Sequence, residues 1–327
     1  MTEIKAAPIV LCSDPECRFV EADVARLNDA CRLQVSDSYA VPTLLPLIVD
    51  AEVLVVSCFA QVPAALIEAG RRLRGIVKYG VGVDNIDLLA AKELGIPVAN
   101  CPDYGSGTVA DHAFALLISL ARRLVLQHNQ LRQHGWYWPD ERYCGIDLEG
   151  KTLGIIGLGR IGRKMARRAA GFEMRVIACD PYVDTKATKV DGCDVTLVSL
   201  DELLAASDFV SVHCTLTPET HQLIGERQLR AMKPSAYIID VSRGAIIDES
   251  ALMRGLQEGW IAGAGLDVFP SEPLANQHPL LSLSNVVLTP HLAWYTWEAA
   301  ARQSQQAADS VLDILAGRRP RSVVNGV

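Results

Sequence analysis

Residues 152–162 read Thr-Leu-Gly-Ile-Ile-Gly-Leu-Gly-Arg-Ile-Gly, and no other stretch of the chain narrows the choice of fold so far. An apolar run, Thr152–Ile156, leads directly into Gly157, Gly159 and Gly162, and a helical pattern occupies 161–170. A strand that becomes a helix within so few residues needs glycine first for the tight turn and last for close packing of helix on strand. The middle glycine keeps the backbone bare enough for a pyrophosphate to approach, and the helix start offers unpaired N–H groups and the positive end of its dipole. Asp180 closes the next apolar run, Arg175–Cys179, about 20 residues on, where a carboxylate can accept both hydroxyl hydrogens of a ribose. Three glycines alone would be a weak signal, and a glycine turn that binds nothing is the competing reading. The strand before, the helix after and the acid beyond make this a dinucleotide fingerprint. Asp180 would repel a 2′-phosphate, and no Arg or Lys stands among Pro181, Tyr182 and Val183 to reverse that. The expected cofactor is therefore NAD rather than NADP.

The rest of the chain repeats the same grammar. Short apolar runs at Ile9–Cys12, 53–57, Gly75–Lys78 and 97–99 alternate with helical patterns at 22–30, 63–69 and 86–94. A second alternation sets strands at Thr152–Ile156, Arg175–Cys179, 209–213, Tyr237–Asp240, 261–266 and Val286–Leu288. Helices fall between them at 161–170, 201–205, 226–232 and Glu249–Glu258. Strands spaced by helices give parallel sheets covered on both faces, so the fold class is α/β with two doubly wound units. A length of 327 residues suits two domains. One long helix is expected over 107–126, without Gly or Pro after its first residue, and another over 296–316.

Charge and cysteine usage exclude several classes. Lys and Arg number 31 against 38 Asp and Glu, a net charge of -7, which argues against a nucleic-acid partner. The pairs Arg71-Arg72, Arg122-Arg123 and Arg318-Arg319 read as solvated helix ends. Nine cysteines carry no paired spacing, so reduced, buried thiols in the cytoplasm are expected, and no metal site. The apolar stretch 113–121 is far too short to cross a membrane. The run Pro8-Ile9-Val10-Leu11-Cys12 reads as a first strand rather than a signal peptide.

Ends of parallel strands are where such sheets bind ligands, and three of them carry reactive side chains. Arg243 follows Tyr237–Asp240, Glu272 follows the run ending in Leu266-Asp267-Val268-Phe269, and His291 follows Val286–Leu288. A guanidinium can fork onto a carboxylate, an imidazolium can give a proton to a carbonyl oxygen, and a carboxylate beside it favours the protonated form. Those are the needs of reducing a 2-keto acid by hydride. Singly each residue is ordinary, and a lone histidine after proline is more often structural. No ordered partners are visible for His112, His128, His134, His213, His221 or His278. The set of three carries the argument.

With these motifs in order, the chain resembles the D-isomer-specific 2-hydroxyacid dehydrogenase family, which includes 3-phosphoglycerate dehydrogenases and C-terminal-binding-protein corepressors. The likeness spans nearly the whole length. It runs through Tyr79-Gly80-Val81-Gly82-Val83-Asp84-Asn85-Ile86-Asp87, Val109-Ala110-Asp111-His112, the Gly157–Gly162 turn, Ser242-Arg243-Gly244, Leu266-Asp267-Val268-Phe269, Ser271-Glu272-Pro273 and Thr289-Pro290-His291. The resemblance implies Arg243 as binder of the substrate carboxylate and carbonyl, His291 as acid and base, and Glu272 as its partner. It implies Arg160, Ile161, Thr108, Cys214 and Asp267 beside the cofactor, Asp267 near the carboxamide, and backbone N–H groups around Val81 and Gly82 for the substrate carboxylate. It also implies a flavodoxin-like substrate domain of residues 1–103 and 292–327, interrupted by a Rossmann domain of residues 104–291.

Two departures from the family pattern stand out. Asp111 replaces a frequent Glu, and Leu292-Ala293-Trp294-Tyr295-Thr296 follows His291 where many members carry small residues. Trp294 resembles the corepressor branch and motivates a second reading, an NAD(H)-responsive recruiter of partners; the complete catalytic set favours the enzyme. Trp294 is expected to wall the substrate cavity and favour apolar or small 2-keto acids. Phosphate at that end would want several cations, and the first domain offers only Lys78, whose ammonium reads as solvated. The aromatic loop Trp136-Tyr137-Trp138-Pro139 is expected at a homodimer contact.

Overall fold

The computed structural model describes residues 7–183, 189–190 and 192–327. The chain divides into two compact units, residues 1–105 with 295–327 and residues 106–294.

In the first unit, strands β1 (Ile9–Cys12), β2 (Arg32–Val35), β3 (Val53–Val56), β4 (Gly75–Lys78) and β5 (Val98–Ala99) form one parallel sheet in the order β2-β1-β3-β4-β5. That is the flavodoxin-like order. Helices α1 (Glu21–Asn28), α2 (Val41–Ile48), α3 (Ala64–Ala69) and α4 (Leu88–Glu93) connect the strands. Strands β3 and β4 are buried at every residue, as the unbroken apolar runs require. The edge strand β2 and helix α2 have no counterpart in the sequence reading. β2, Arg-Leu-Gln-Val, lacks an apolar run because it buries no residue fully. α2 carries Pro42 in its first turn and Pro46 inside, which breaks the helical signal. Burial of Leu44 and Ile48 overrides it.

The second unit holds strands β6 (Thr152–Ile156), β7 (Arg175–Cys179), a short hairpin β8 (Lys189–Val190) and β9 (Cys193–Asp194), then β10 (Thr196–Leu197), β11 (Phe209–Val212), β12 (Tyr237–Asp240), β13 (Gly263–Leu266) and β14 (Val286–Leu288). Seven of these make a parallel sheet in the order β10-β7-β6-β11-β12-β13-β14, the Rossmann arrangement with its reversal between β6 and β11. Helices α5 (Ser106–Ala121), α6 (Leu124–His134), α7 (Arg160–Gly171), α8 (Leu200–Ala206), α9 (Glu226–Ala231) and α10 (Glu249–Glu258) belong to this unit.

The single helix expected over 107–126 is two helices. Arg123 adopts a left-handed conformation, φ 51°, and the Ala121 carbonyl accepts the Ile146 N–H at 2.8 Å instead of continuing the helix. Arg123 Nε and Gln127 Nε2 reach the Cys144 and Tyr143 carbonyls, so the returning chain caps the break. No Gly or Pro marks it in the sequence. The last helix, α11 (Trp297–Leu315), is capped by the Thr296 hydroxyl and packs in the first unit. Its Ile314 lies where a Cβ on Gly75 would come within 2.5 Å, so glycine there is a condition of that packing. Among the described residues no helix is long and apolar enough to cross a membrane, and no acidic, histidine or cysteine group could hold a metal ion. Cys144 is exposed and Cys58, Cys179 and Cys214 are half-buried, so only five of the nine cysteines are the buried small hydrophobes expected of all nine.

Candidate active site

The turn after β6 has the geometry its glycines predict. Gly157 sits at φ +92°, and a Cβ there would meet the Cys214 backbone nitrogen at 2.6 Å. A Cβ on Gly162 would lie 2.1 Å from the Gly157 carbonyl oxygen, while one on Gly159 would meet nothing within 4 Å. Two glycines are therefore fixed by the protein's own packing, and the third faces open space. α7 begins at Arg160 without any side-chain cap, leaving its first N–H groups for a ligand. Asp180 accepts the Leu158 N–H at 2.7 Å and the Tyr182 N–H at 2.9 Å, one at each carboxylate oxygen. Each oxygen keeps a lone pair for a hydroxyl. These residues fit a dinucleotide. Ile161 and Thr108 are partly buried in α7 and α5, and half-buried Cys214 follows β11. Burial, with Asp240 adding to it, pushes the Cys214 thiol up to about 12.

Arg243, Glu272 and His291 follow the carboxyl ends of β12, β13 and β14, three adjacent strands of this one sheet. His291 Nδ1 and Glu272 Oε2 stand 2.6 Å apart, and Glu272 Oε1 accepts the Phe269 N–H at 2.9 Å. Burial alone would raise the Glu272 carboxyl, but the hydrogen bond and charge of His291 outweigh it, with Arg243 helping, and hold it below its usual range. An ionised carboxylate only accepts, so Nδ1 carries a hydrogen and Nε2 is the nitrogen left to exchange a proton. The Arg243 guanidinium donates to the Ser242 carbonyl at 2.8 Å.

His291 sits in the left-handed region, φ +56°, rare outside glycine. Asp267 is what holds it there. The carboxylate of Asp267, at 0% exposure, accepts the Thr289 hydroxyl at 2.6 Å and the Leu292 and Ala293 N–H groups at 2.9 and 2.8 Å, while its carbonyl accepts the His291 N–H at 2.7 Å. This buried carboxylate fixes the loop that carries His291. His112 joins the same knot, its Nε2 2.9 Å from the Thr289 hydroxyl. His213 is half-buried, its Nε2 2.8 Å from the Ser211 hydroxyl, and burial lowers it to about 3, as a structural histidine requires. Asp111 forms an ion pair with Arg168 at 2.7 Å, which joins α5 to α7.

Asp240, at the end of β12, escaped the sequence reading. Burial pushes it up to about 7; the Ser242 N–H and hydroxyl bonds and the nearby Arg243 pull the other way, and Asp267 adds to the rise. Its Oδ2 has no hydrogen-bond partner among the described residues. An acid at a strand end is ordinary in sequence, and only the packing reveals it as buried.

Val81 and Gly82 belong to the first unit. There the Gly80 carbonyl accepts the Cys101 N–H at 2.8 Å, and the Val81 carbonyl accepts from the Asn100 side chain at 2.7 Å. In a trans peptide the N–H points opposite to the carbonyl, so both bonds turn the Val81 and Gly82 N–H groups to the other side. Lys78 departs from expectation. Its side chain is 2% exposed, and its ammonium donates to the Ser57 carbonyl at 2.7 Å and to Asn85 Oδ1 at 2.9 Å. The sequence could not show that the β4 end is covered.

A sequence model described as the D-isomer specific 2-hydroxyacid dehydrogenase NAD-binding domain matches residues 114–293. A glyoxylate reductase of Korarchaeum cryptofilum is 41% identical over 310 residues, 93% of each chain. The chain belongs to the D-isomer specific 2-hydroxyacid dehydrogenases. A D-3-phosphoglycerate dehydrogenase of Methanocaldococcus jannaschii is 39% identical over 97% of this chain and 59% of its own. The crystal structure of D-lactate dehydrogenase from Aquifex aeolicus, complexed with NAD and lactic acid, superposes with a TM-score of 0.87 at 30% identity, covering 98% and 99% of the two chains. Membership of this dehydrogenase family brings a nicotinamide cofactor and favours the enzyme over the recruiting alternative.

Proposed function

We propose that this dehydrogenase interconverts a 2-keto acid and its D-2-hydroxy acid, with Arg243, Glu272 and His291 as its working side chains and NAD as its cofactor. The observation that carries the reading is the His291–Glu272 pair at 2.6 Å, its members following β14 and β13, which succeed in the sheet the strand β12 that precedes Arg243. When bound, the nicotinamide supplies or takes the hydride. Arg243 holds the substrate carboxylate and polarises the carbonyl. His291 Nε2 gives a proton to the carbonyl oxygen in reduction and takes the hydroxyl proton in oxidation. Glu272 stabilises the imidazolium that the reaction requires. Val81 and Gly82 offer N–H groups to the carboxylate, and Trp294 walls the side-chain end of the substrate.

Asp180 supports NAD over NADP. Lys78, at the end of β4, is buried and engaged by Ser57 and Asn85, which supports small or apolar 2-keto acids as the expected substrates. A screen of NADH oxidation over glyoxylate, hydroxypyruvate, pyruvate, phenylpyruvate, branched 2-keto acids and phosphohydroxypyruvate tests this directly. Turnover of none of them refutes the activity, and outright preference for the phosphorylated acid refutes the substrate class.

The proposed assembly is a homodimer. α6 buries none of its residues, Leu124, Val125 and Leu131 are exposed on it, and Trp136 and Trp138 beyond it are each 79% exposed. An apolar surface of that kind supports a subunit contact. Sedimentation equilibrium at micromolar concentration tests it, and a monomer rejects it. Nine cysteines without paired spacing support a reducing, cytoplasmic location.

A further inference from the structure

The Val81 carbonyl of the Gly80–Val81–Gly82 turn is held from behind by the Asn100 side chain, and that side chain is oriented by Ser322. Residues 322–325 lie alongside β5. Ala99 bridges Val323 antiparallel, the Val324 N–H donates to the Val98 carbonyl at 2.9 Å, and Asn325 both accepts from the Val98 N–H and donates to the Ile96 carbonyl. The Asn100 N–H donates to the Ser322 carbonyl at 3.1 Å. Backbone pairing thus accounts for the strand contact without the Ser322 side chain. Its hydroxyl does something else: it donates to Asn100 Oδ1 at 2.6 Å. With that oxygen engaged, Asn100 turns its Nδ2 to the Val81 carbonyl. A flipped amide would set oxygen against oxygen.

We propose that Asn100, oriented by Ser322, is a positioning residue for the substrate carboxylate. The inference rests on the reading that Val81 and Gly82 receive that carboxylate, and it deepens it. The bond to Asn100 fixes the plane of the Val81–Gly82 peptide and so aims the Gly82 N–H. Glycine at 82 offers no side chain to resist rotation of that peptide, so an unheld peptide can present its carbonyl oxygen instead. Oxygen toward a carboxylate repels it. The C-terminal segment thereby takes part in substrate binding without touching substrate.

The test uses the full-length enzyme and its best 2-keto acid, with oxamate as a carboxylate ligand that is not reduced. Ser322→Ala is expected to raise KM and the oxamate Kd together by roughly two- to twelvefold, the effect of one net hydrogen bond. Turnover stays within about twofold and NADH affinity is unchanged, because no atom of the chemistry moves. Ser322→Thr keeps the hydroxyl and restores KM. Asn100→Asp, which places carboxylate oxygen against the Val81 carbonyl, raises KM further than Ser322→Ala does. Unchanged KM and oxamate affinity in an active enzyme overturn the inference and leave the activity standing. So does a lowered Tm with KM unaltered, the mark of a merely structural contact. An unsubstituted enzyme that neither turns over a 2-keto acid nor binds oxamate overturns the reading beneath it and this inference with it.

Discussion

Asp240→Asn isolates the energetic cost of a carboxylate placed under the active-site turn. The group is 1% exposed, its folded-state value lies near 7, and its ordinary value is 3.8. Between those two pH values the unfolded chain has released the proton and the folded chain still holds it. Stability contributed by the protonated acid is therefore complete below about 3.8 and is lost as pH rises through about 7. One pH unit corresponds to about 1.4 kcal/mol, so the upper bound over the window is about 4 kcal/mol. Asparagine resembles the protonated acid and keeps an oxygen for the Ser242 N–H and hydroxyl. Urea unfolding of the cofactor-free protein, followed by tryptophan fluorescence, should give nearly equal stabilities for variant and parent at pH 4. At pH 8.5 the variant should be the more stable by about 2–4 kcal/mol, the lower figure allowing for relaxation around the charge. A difference between the two proteins that does not change with pH would refute the assignment of a buried, reluctantly ionised carboxyl.

Other outcomes follow from the same geometry. His291→Ala should cut turnover by roughly 10²–10⁴ while leaving NADH affinity almost unchanged, and full activity in that variant would end the proposed role. Glu272→Gln should cut turnover, because His291 Nδ1 loses the carboxylate that fixes the orientation of the ring; turnover equal to the parent's counts against the pairing. Asp180→Ser with Tyr182→Arg should shift cofactor preference toward NADP(H), and a parent enzyme that uses both cofactors equally would falsify the ribose assignment. Trp294→Ala should lower kcat/KM for apolar 2-keto acids relative to glyoxylate, and unchanged selectivity places the indole away from substrate.

The Gly157–Gly162 turn was legible in the sequence because its glycines stand between an apolar strand run and a helical pattern, although the contact that excludes a side chain at Gly157 comes from Cys214 and Gly159 faces open space. Parallel strands were legible for a related reason: burial on both faces leaves continuous apolar runs such as Val53–Val56 and Thr152–Ile156. Arg243, Glu272 and His291 could be named because each follows such a run. The break at Arg123 could not, since it depends on residues 143–146 returning to cap a helix that has no breaker of its own. Nor could Lys78, whose charge suggests solvent until Ser57 and Asn85 are seen around it. Asp240 and Asp267 look alike in sequence, two acids at adjoining strand ends. One fixes the loop that carries His291, and the other sits with an oxygen unmatched. What the sequence determined by itself was whatever a residue's near neighbours in the chain decide: turn, strand, helix start and the order of the site residues. The tertiary structure decided protonation, orientation and which acid holds which loop, because those depend on burial and on hydrogen-bond partners tens to hundreds of residues away.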